Sequence, residues 1–256
     1  MDIYSEIAKL KKENRASALC IVIETKGSTP RKTGSKMIVT GDKQVIGTIG
    51  GGALEYEVTE KAIQLMATGQ PGLFHFELKD DLHMECGGQT TVYIEPQIPD
   101  NRLVIFGGGH VGKAVARLSA GLGFRVTVID DRREITESIH DPAIEIITES
   151  YETAIDNVVF DENTYIVVVT PKHAFDEIVT AKCAKKPFAY LGMIGSKRKV
   201  KVAREKFKND WELTEEQIEA IDMPIGIPFE AETPEEIAVS ILAKIIDVKN
   251  KRRKVG

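Results

Sequence analysis

The chain has few cysteines, no surplus of positive charge and no long apolar run, and each shortage excludes a class of protein. Its three cysteines, Cys20, Cys86 and Cys183, are too few and too scattered for a disulfide framework. A net charge of -5 leaves no basic face for non-specific nucleic-acid binding. No apolar stretch reaches the roughly 18 residues that cross a bilayer, and no signal-peptide pattern opens the sequence. These absences together read as a protein of a reduced, cytoplasmic compartment, with neither membrane nor nucleic acid as partner. The basic end (Lys249, Lys251, Arg252, Arg253, Lys254) reads as a solvated tail. The rest of the composition, 42% hydrophobic and 29% charged, is that of a globular chain long enough for two ordinary domains.

The first part of the chain reads as mixed α+β. Ile3, Ile7 and Leu10 recur at helical spacing, and Ala18 to Thr25 is a β-branched run that predicts a buried strand. Lys36–Thr40 and Gln44–Ile49 predict a hairpin around Gly41-Asp42, followed by a helix from Ala53 to Met66 that stops near Gly69. Strands are expected at Leu73–Leu78 and Thr90–Glu95, and Pro96 to Asp100 reads as a linker. A domain boundary is therefore set between residues 98 and 99. Beyond it strands and helices alternate. Strands at Arg102–Phe106, Arg125–Ile129, Tyr165–Val169 and Phe188–Leu191 lack polar alternation, as strands buried on both faces of a parallel sheet do. Helices are expected after Gly109, Pro171, Ser196 and Pro234, and Thr214 with Gln217 has the spacing of a capping box. The expected class is α/β, with an N-terminal α+β domain (1–98) and a C-terminal, Rossmann-like, doubly wound parallel sheet (99–256).

The glycine-rich loops carry the chemistry. After the apolar run Leu103–Phe106 comes Gly107-Gly108-Gly109-His110-Val111-Gly112, a GxGxxG loop that opens an amphipathic helix. Gly107 suits a tight turn, Gly109 lets amides approach a pyrophosphate, and Gly112 permits close helix–strand packing. His110 is read as orienting the turn or its ligand. Asp130, 18 residues past Gly112, is placed to accept from a ribose, with Asp131 as its neighbour and Arg132 and Arg133 leaving room for a phosphorylated ribose. Two loops upstream suit anions as well. Gly27 to Lys36 combines glycines and hydroxyls with Arg31 and Lys36, and Gly50-Gly51-Gly52 precedes a helix as an anion nest. Cys86, beside Gly87-Gly88, reads as a nucleophile, a sulfur carrier, a soft metal ligand or a small turn residue. Cys20 and Cys183 fall in apolar elements and read as core residues. Ser196 and Arg198, after the strand ending near Leu191, stand where an anion would meet the carboxyl edge of the sheet. No clear Asp/His or Lys/Tyr catalytic set stands beside the GxGxxG loop.

These motifs occur together and in order: GSTPRKTGSKM (Gly27 to Met37), GTIGGGALE (Gly47 to Glu55), CGG (Cys86 to Gly88), FGGGHVGKA (Phe106 to Ala114), YLGMIGSKRK (Tyr190 to Lys199) and AETPEEIAVSILA (Ala231 to Ala243). In this the chain resembles the XdhC/CoxI family of xanthine dehydrogenase accessory factors. The resemblance implies a homodimeric maturation chaperone rather than a turnover enzyme. It implies binding of molybdenum cofactor (molybdopterin), support for its sulfuration, and delivery to a xanthine dehydrogenase-type molybdenum hydroxylase. A cysteine desulfurase is a further implied partner. Cys86 is the implied metal- or sulfur-handling residue, with Gly87 and Gly88 beside it. One departure is visible: related chains carry a threonine, a basic residue and glycine before His-x-x-Asp, and here Thr170-Pro171-Lys172-His173-Ala174-Phe175-Asp176 keeps His173 and Asp176 but stiffens the turn with Pro171. Two readings from other classes stand beside this one, an NAD(P)-dependent oxidoreductase and a nucleotide-sensing binding module.

Overall fold

The computed structural model describes residues 2–78 and 88–255, with side chains to 252. Cys86 and Gly87 therefore lie outside the described residues. The chain divides into two compact units, with the break between Pro99 and Asp100.

The first unit is a five-stranded antiparallel sheet with two helices. Helix α1 (Ile3–Lys12) is capped by Asp2, whose carboxylate accepts from the Tyr4 and Ser5 amides. Strands β1 (Ser17–Lys26), β2 (Lys36–Thr40) and β3 (Val45–Gly47) are followed by helix α2 (Gly52–Thr68), then β4 (Gly72–Glu77) and β5 (Gln89–Gln97), in the order β3-β2-β1-β5-β4. Alternation along β1 and β2 sends Ala18, Cys20, Val22, Met37 and Val39 to one face, where Leu54, Val58 and Ala62 of α2 bury them. Helix α2 ends where Gly69 adopts a left-handed conformation at φ 68°. Two expectations need adjusting. The second half of β1 is not buried: a bulge between Val22 and Glu24 shifts the register and leaves Ile23 44% exposed. The expected linker is also shorter, because β5 continues through Pro96, which pairs with Ala18. Strand β4 stops pairing at Gly72 opposite Ile94, so the proline sits beyond the doubly paired region.

The second unit is a six-stranded parallel sheet, β11-β10-β9-β6-β7-β8. Its strands are β6 (Asn101–Phe106), β7 (Phe124–Ile129), β8 (Ile144–Ile147), β9 (Thr164–Val168), β10 (Tyr190–Met193) and β11 (Ile221–Asp222). Numbered within the unit, the order is 3-2-1-4-5-6, the doubly wound arrangement whose switch point lies between β6 and β9. Helices α3 (His110–Leu118), α4 (Arg133–Thr136), α5 (Tyr151–Asn157), α6 (His173–Cys183), α7 (Lys197–Asn209), α8 (Glu215–Glu219) and α9 (Pro234–Val255) complete it. Both sheet faces are buried. Val104, Phe106, Ile166 and Val168 enter one core, and Leu103, Ile105, Tyr165 and Val167 the other. Thr214 and Gln217 form the capping box their spacing predicts, at the start of α8.

Two short strands escaped the sequence reading. β8 and β11 form the sheet edges, where four and two residues are too few to establish a period. The basic end is not a free tail either. It is the last part of α9, where Lys249 Nζ donates to the Leu122 carbonyl at 2.6 Å and stands 4.7 Å over the Phe124 ring. Arg252 donates to the Glu162 carbonyl at 2.8 Å. Among the described residues no helix is long and apolar enough to cross a membrane.

Candidate functional site

In the first unit the conspicuous loops touch one another. A Cβ placed on Gly50 would lie 2.7 Å from the Pro30 ring, so the Gly27–Lys36 loop packs directly on the glycine run. A Cβ on Gly88 would lie 2.3 Å from the Ser28 carbonyl oxygen and 2.7 Å from that of Lys26. Only glycine permits this approach. Leu78 donates to the Gly88 carbonyl at 3.0 Å, so residues 79–87, which include Cys86, connect the paired ends of β4 and β5. The Gly27–Lys36 loop, the Gly50-Gly51-Gly52 run and Gly88 thus share one end of one sheet.

The nest is real, but a carboxylate of the chain fills it. Gly50, Gly51 and Gly52 have φ of 143°, 77° and 58°. Their turn aims donors at Glu55, whose Oε1 accepts from the Thr48 hydroxyl at 2.6 Å, the Gly51 amide at 2.8 Å and the Ile49 amide at 3.0 Å. Burial alone would raise the Glu55 carboxyl, yet the bonds from Thr48 and the Gly51, Ile49 and Gly50 amides outweigh it and hold the carboxyl below its ordinary range. The expected external anion is therefore replaced by an internal one at the N-terminus of α2. Lys36 is partly occupied too, donating to the Gly34 carbonyl at 3.0 Å with its ammonium 5.8 Å over the Tyr4 ring. Arg31 is exposed.

In the second unit the GxGxxG loop has the packing its glycines predict. Gly107 has φ 108°, and a Cβ there would lie 2.3 Å from the Val169 carbonyl. At Gly112 a Cβ would come within 1.8 Å of the Gly107 carbonyl, while Gly109 faces open space. Asp130 differs from expectation. Its side chain is fully buried and accepts from the Gly108 amide at 2.7 Å and from Arg132 at 2.8 and 2.7 Å, with the Arg132 amide at 3.0 Å. Burial raises this carboxyl, and the Arg132 and Gly108 bonds lower it further than burial raises it. A carboxylate held on both oxygens has no free lone pair directed at a ribose. Its work is to hold the loop, and Asp131, exposed beside it, is the free acid at that strand end. His110 is exposed on the first turn of α3 and lines a groove of about 620 Å3 with Lys113, Arg117 and His140.

The turn after β9, where the sequence departs from its relatives, joins His173 and Asp176 to the Ser196–Lys199 motif. Asp176, 2% exposed, accepts from the Thr170 amide at 2.9 Å, the Thr170 hydroxyl at 2.7 Å and His173 Nδ1 at 3.3 Å. Burial raises the Asp176 carboxyl, against the lowering effect of these bonds. The other ring nitrogen of His173 meets Lys199 Nζ. The three line one cavity with Ser196, which caps α7, and Arg198. The His173-x-x-Asp176 pair and the motif that ends at Lys199 are each legible in the sequence; the meeting of Lys199 with His173, 26 residues away, is not. Among the described residues no cluster of three or more His, Cys, Asp or Glu is placed to hold a metal.

Comparison with known proteins agrees with this architecture. The XdhC Rossmann domain model matches residues 103–245, and that of the XdhC and CoxI family matches residues 10–77. The uncharacterized protein YqeB of Escherichia coli (strain K12) is 34% identical over 98% of this chain and 47% of its own length. A probable xanthine dehydrogenase subunit of Bacillus subtilis (strain 168) is 30% identical over 66% of this chain and 50% of its own. The chain thus spans about half the length of the curated relatives it matches. A crystal structure from Bacillus halodurans, described as a xanthine dehydrogenase, shares the fold with a TM-score of 0.54 at 19% identity, covering 98% of this chain and 97% of that one. Ordered loops, sheet order and both domain matches agree: the chain belongs to the XdhC and CoxI family.

Proposed function

We propose that this protein is an accessory factor that binds molybdenum cofactor, supports its sulfuration and passes it to a xanthine dehydrogenase-type hydroxylase. The observation that carries this reading is the meeting of Pro30 with Gly50 and of Gly88 with Lys26 and Ser28 at one end of the first sheet. That meeting sets the loop of the exposed Arg31 at the sheet end that Gly88, the last residue of the Cys86-Gly87-Gly88 motif, also reaches. The cargo is a polyanionic pterin phosphate with soft sulfur around its metal, and a thiolate is a fitting ligand or sulfur carrier for it. Cys86 is the cysteine left for that task. Cys20 and Cys183 are buried in apolar surroundings that push both thiols up to about 12. A hydroxylase is the receiving partner on this reading and a cysteine desulfurase the sulfur source. The protein acts in the cytoplasm as a homodimer without turnover of its own. The committed carboxylate of Asp130 weighs against an NAD(P)-dependent oxidoreductase, which would need that acid for the ribose.

The test is co-expression of the full chain with cofactor synthesis and a client hydroxylase. The purified protein is expected to carry the pterin, and Cys86→Ala is expected to lose it or to leave the client immature. Equal pterin retention and equal client activity in that variant would overturn the assignment of Cys86.

A further inference from the structure

The turn after β9 and the first turns of α7 line a cavity of about 450 Å3 that includes Ser196 and Arg198, the residues expected to meet an anion at this sheet edge. One wall is apolar, made by Met193, Ile194, Val202 and Ala203. The other is charged, and its charges do not cancel. Glu177 is already paired with Lys206 at 2.8 Å. Asp176 is buried and turned inward to Thr170 and His173. That leaves Arg198 and Lys199, which among the described residues have no carboxylate partner, facing the cavity. The carboxylate of Asp176 accepts at His173 Nδ1, which leaves the lone pair of Nε2 to receive Lys199 Nζ. A buried acid thereby fixes a ring, and the ring fixes an ammonium.

We propose that this cavity binds a flat heterocycle carrying a phosphate monoester, with Arg198 and Lys199 on the phosphate and the ring against Met193 and Val202. His173 is a positioning residue: it holds Lys199 at the mouth until the anion takes the ammonium over. The two cations match a phosphate through charge-assisted hydrogen bonds, and the apolar wall matches a ring face. The anion site of this sheet then lies after β10 rather than at the GxGxxG loop, where the Gly108 amide is committed to Asp130. The inference deepens the reading above by assigning the phosphate end of a ligand, and rests on that reading only for which heterocycle is carried.

The full chain should be titrated calorimetrically with AMP, adenosine and inorganic phosphate at fixed ionic strength. AMP is expected to bind, with adenosine weaker by about tenfold or more. Arg198→Gln and Lys199→Met should each weaken AMP by about tenfold, and Lys113→Met, in the separate groove on α3, should leave it unchanged. His173→Ala should weaken AMP at an unchanged melting temperature. His173→Gln, which can still donate to Asp176 and accept from Lys199, should restore it. Failure of the wild type to bind AMP or phosphate, adenosine binding as tightly as AMP, or indifference to both cation variants would overturn the proposal. None of these outcomes involves pterin retention or client maturation, so the two readings fail separately.

Discussion

Glu55 Oε1 lies 2.8 Å from the Gly51 amide, so the glycine nest at the start of α2 carries its own anion. The site is an anion receptor by geometry, and the chain occupies it with a side chain four residues downstream. Any phosphate entering this turn must displace a carboxylate held by Thr48, Ile49 and Gly51.

Replacing that carboxylate should cost stability in a pH-dependent way. Glu55→Gln is expected to destabilise the first unit by about 1 kcal/mol at pH 7, the figure being discounted for partial exposure. A folded-state pKa held below the ordinary 4.5 contributes stability that is full above 4.5 and lost as pH falls through the depressed value. Urea denaturation of both proteins from pH 7 to pH 3 should show the difference shrinking in the acid range. A gap that stays constant across the range would contradict the assignment.

The two packing glycines and the open one should behave oppositely. Gly112→Ala forces a Cβ against the Gly107 carbonyl, and Gly107→Ala combines a clash with a positive φ. Each is expected to cost about 3 kcal/mol or to prevent folding of the second unit. Gly109→Ala meets nothing and should shift stability by about 0.5 kcal/mol or less. Thermal unfolding of the three variants is the measurement, and equal losses would refute the packing account.

Asp130→Asn should unsettle the loop without any ligand present. The change weakens the pairing of Arg132 and removes a charged acceptor from the Gly108 amide, at a cost of about 2 kcal/mol, moderated because Arg132 is 32% exposed. Faster hydrogen exchange at Gly108 and its neighbours, read by mass spectrometry, is the expected local signature. Unchanged exchange with intact stability would show that Asp130 does not hold the turn.

Thiol reactivity should single out Cys86. With Cys20 and Cys183 buried and their thiols pushed up to about 12, any rapid reaction of native protein with a thiol reagent at pH 8 is expected to be confined to Cys86. Denaturation should release two more. Rapid reaction of native Cys86→Ala would show that a core thiol is accessible.

Much of the fold was legible because its signals are local. The helix at Ile3–Lys12, the stop at Gly69, the capping box at Thr214 and the buried run at β9 each depend on residues within a few positions of one another. The candidate site was legible only in part, and the misses are instructive. Glu55 and Arg132 stood in plain sight beside the motifs they occupy, four residues after Gly51 and two after Asp130. The sequence suggests an outside anion or ribose at these positions, and the folded chain puts a neighbouring side chain within hydrogen-bond reach of the same groups. Edge strands β8 and β11 were too short for their pattern to emerge from background.

Periodicity, caps and glycine spacing sufficed to specify the longer helices, most strands and the turn geometry after β6, since backbone preferences act over one or two turns of chain. Other features required the folded arrangement: the neighbours of each strand, the contact of Gly88 with Ser28 and of Pro30 with Gly50, and the ammonium of Lys199 at the ring of His173. Those contacts join positions far apart along the backbone. They are chosen by the collective burial of whole faces, which no short window of residues contains.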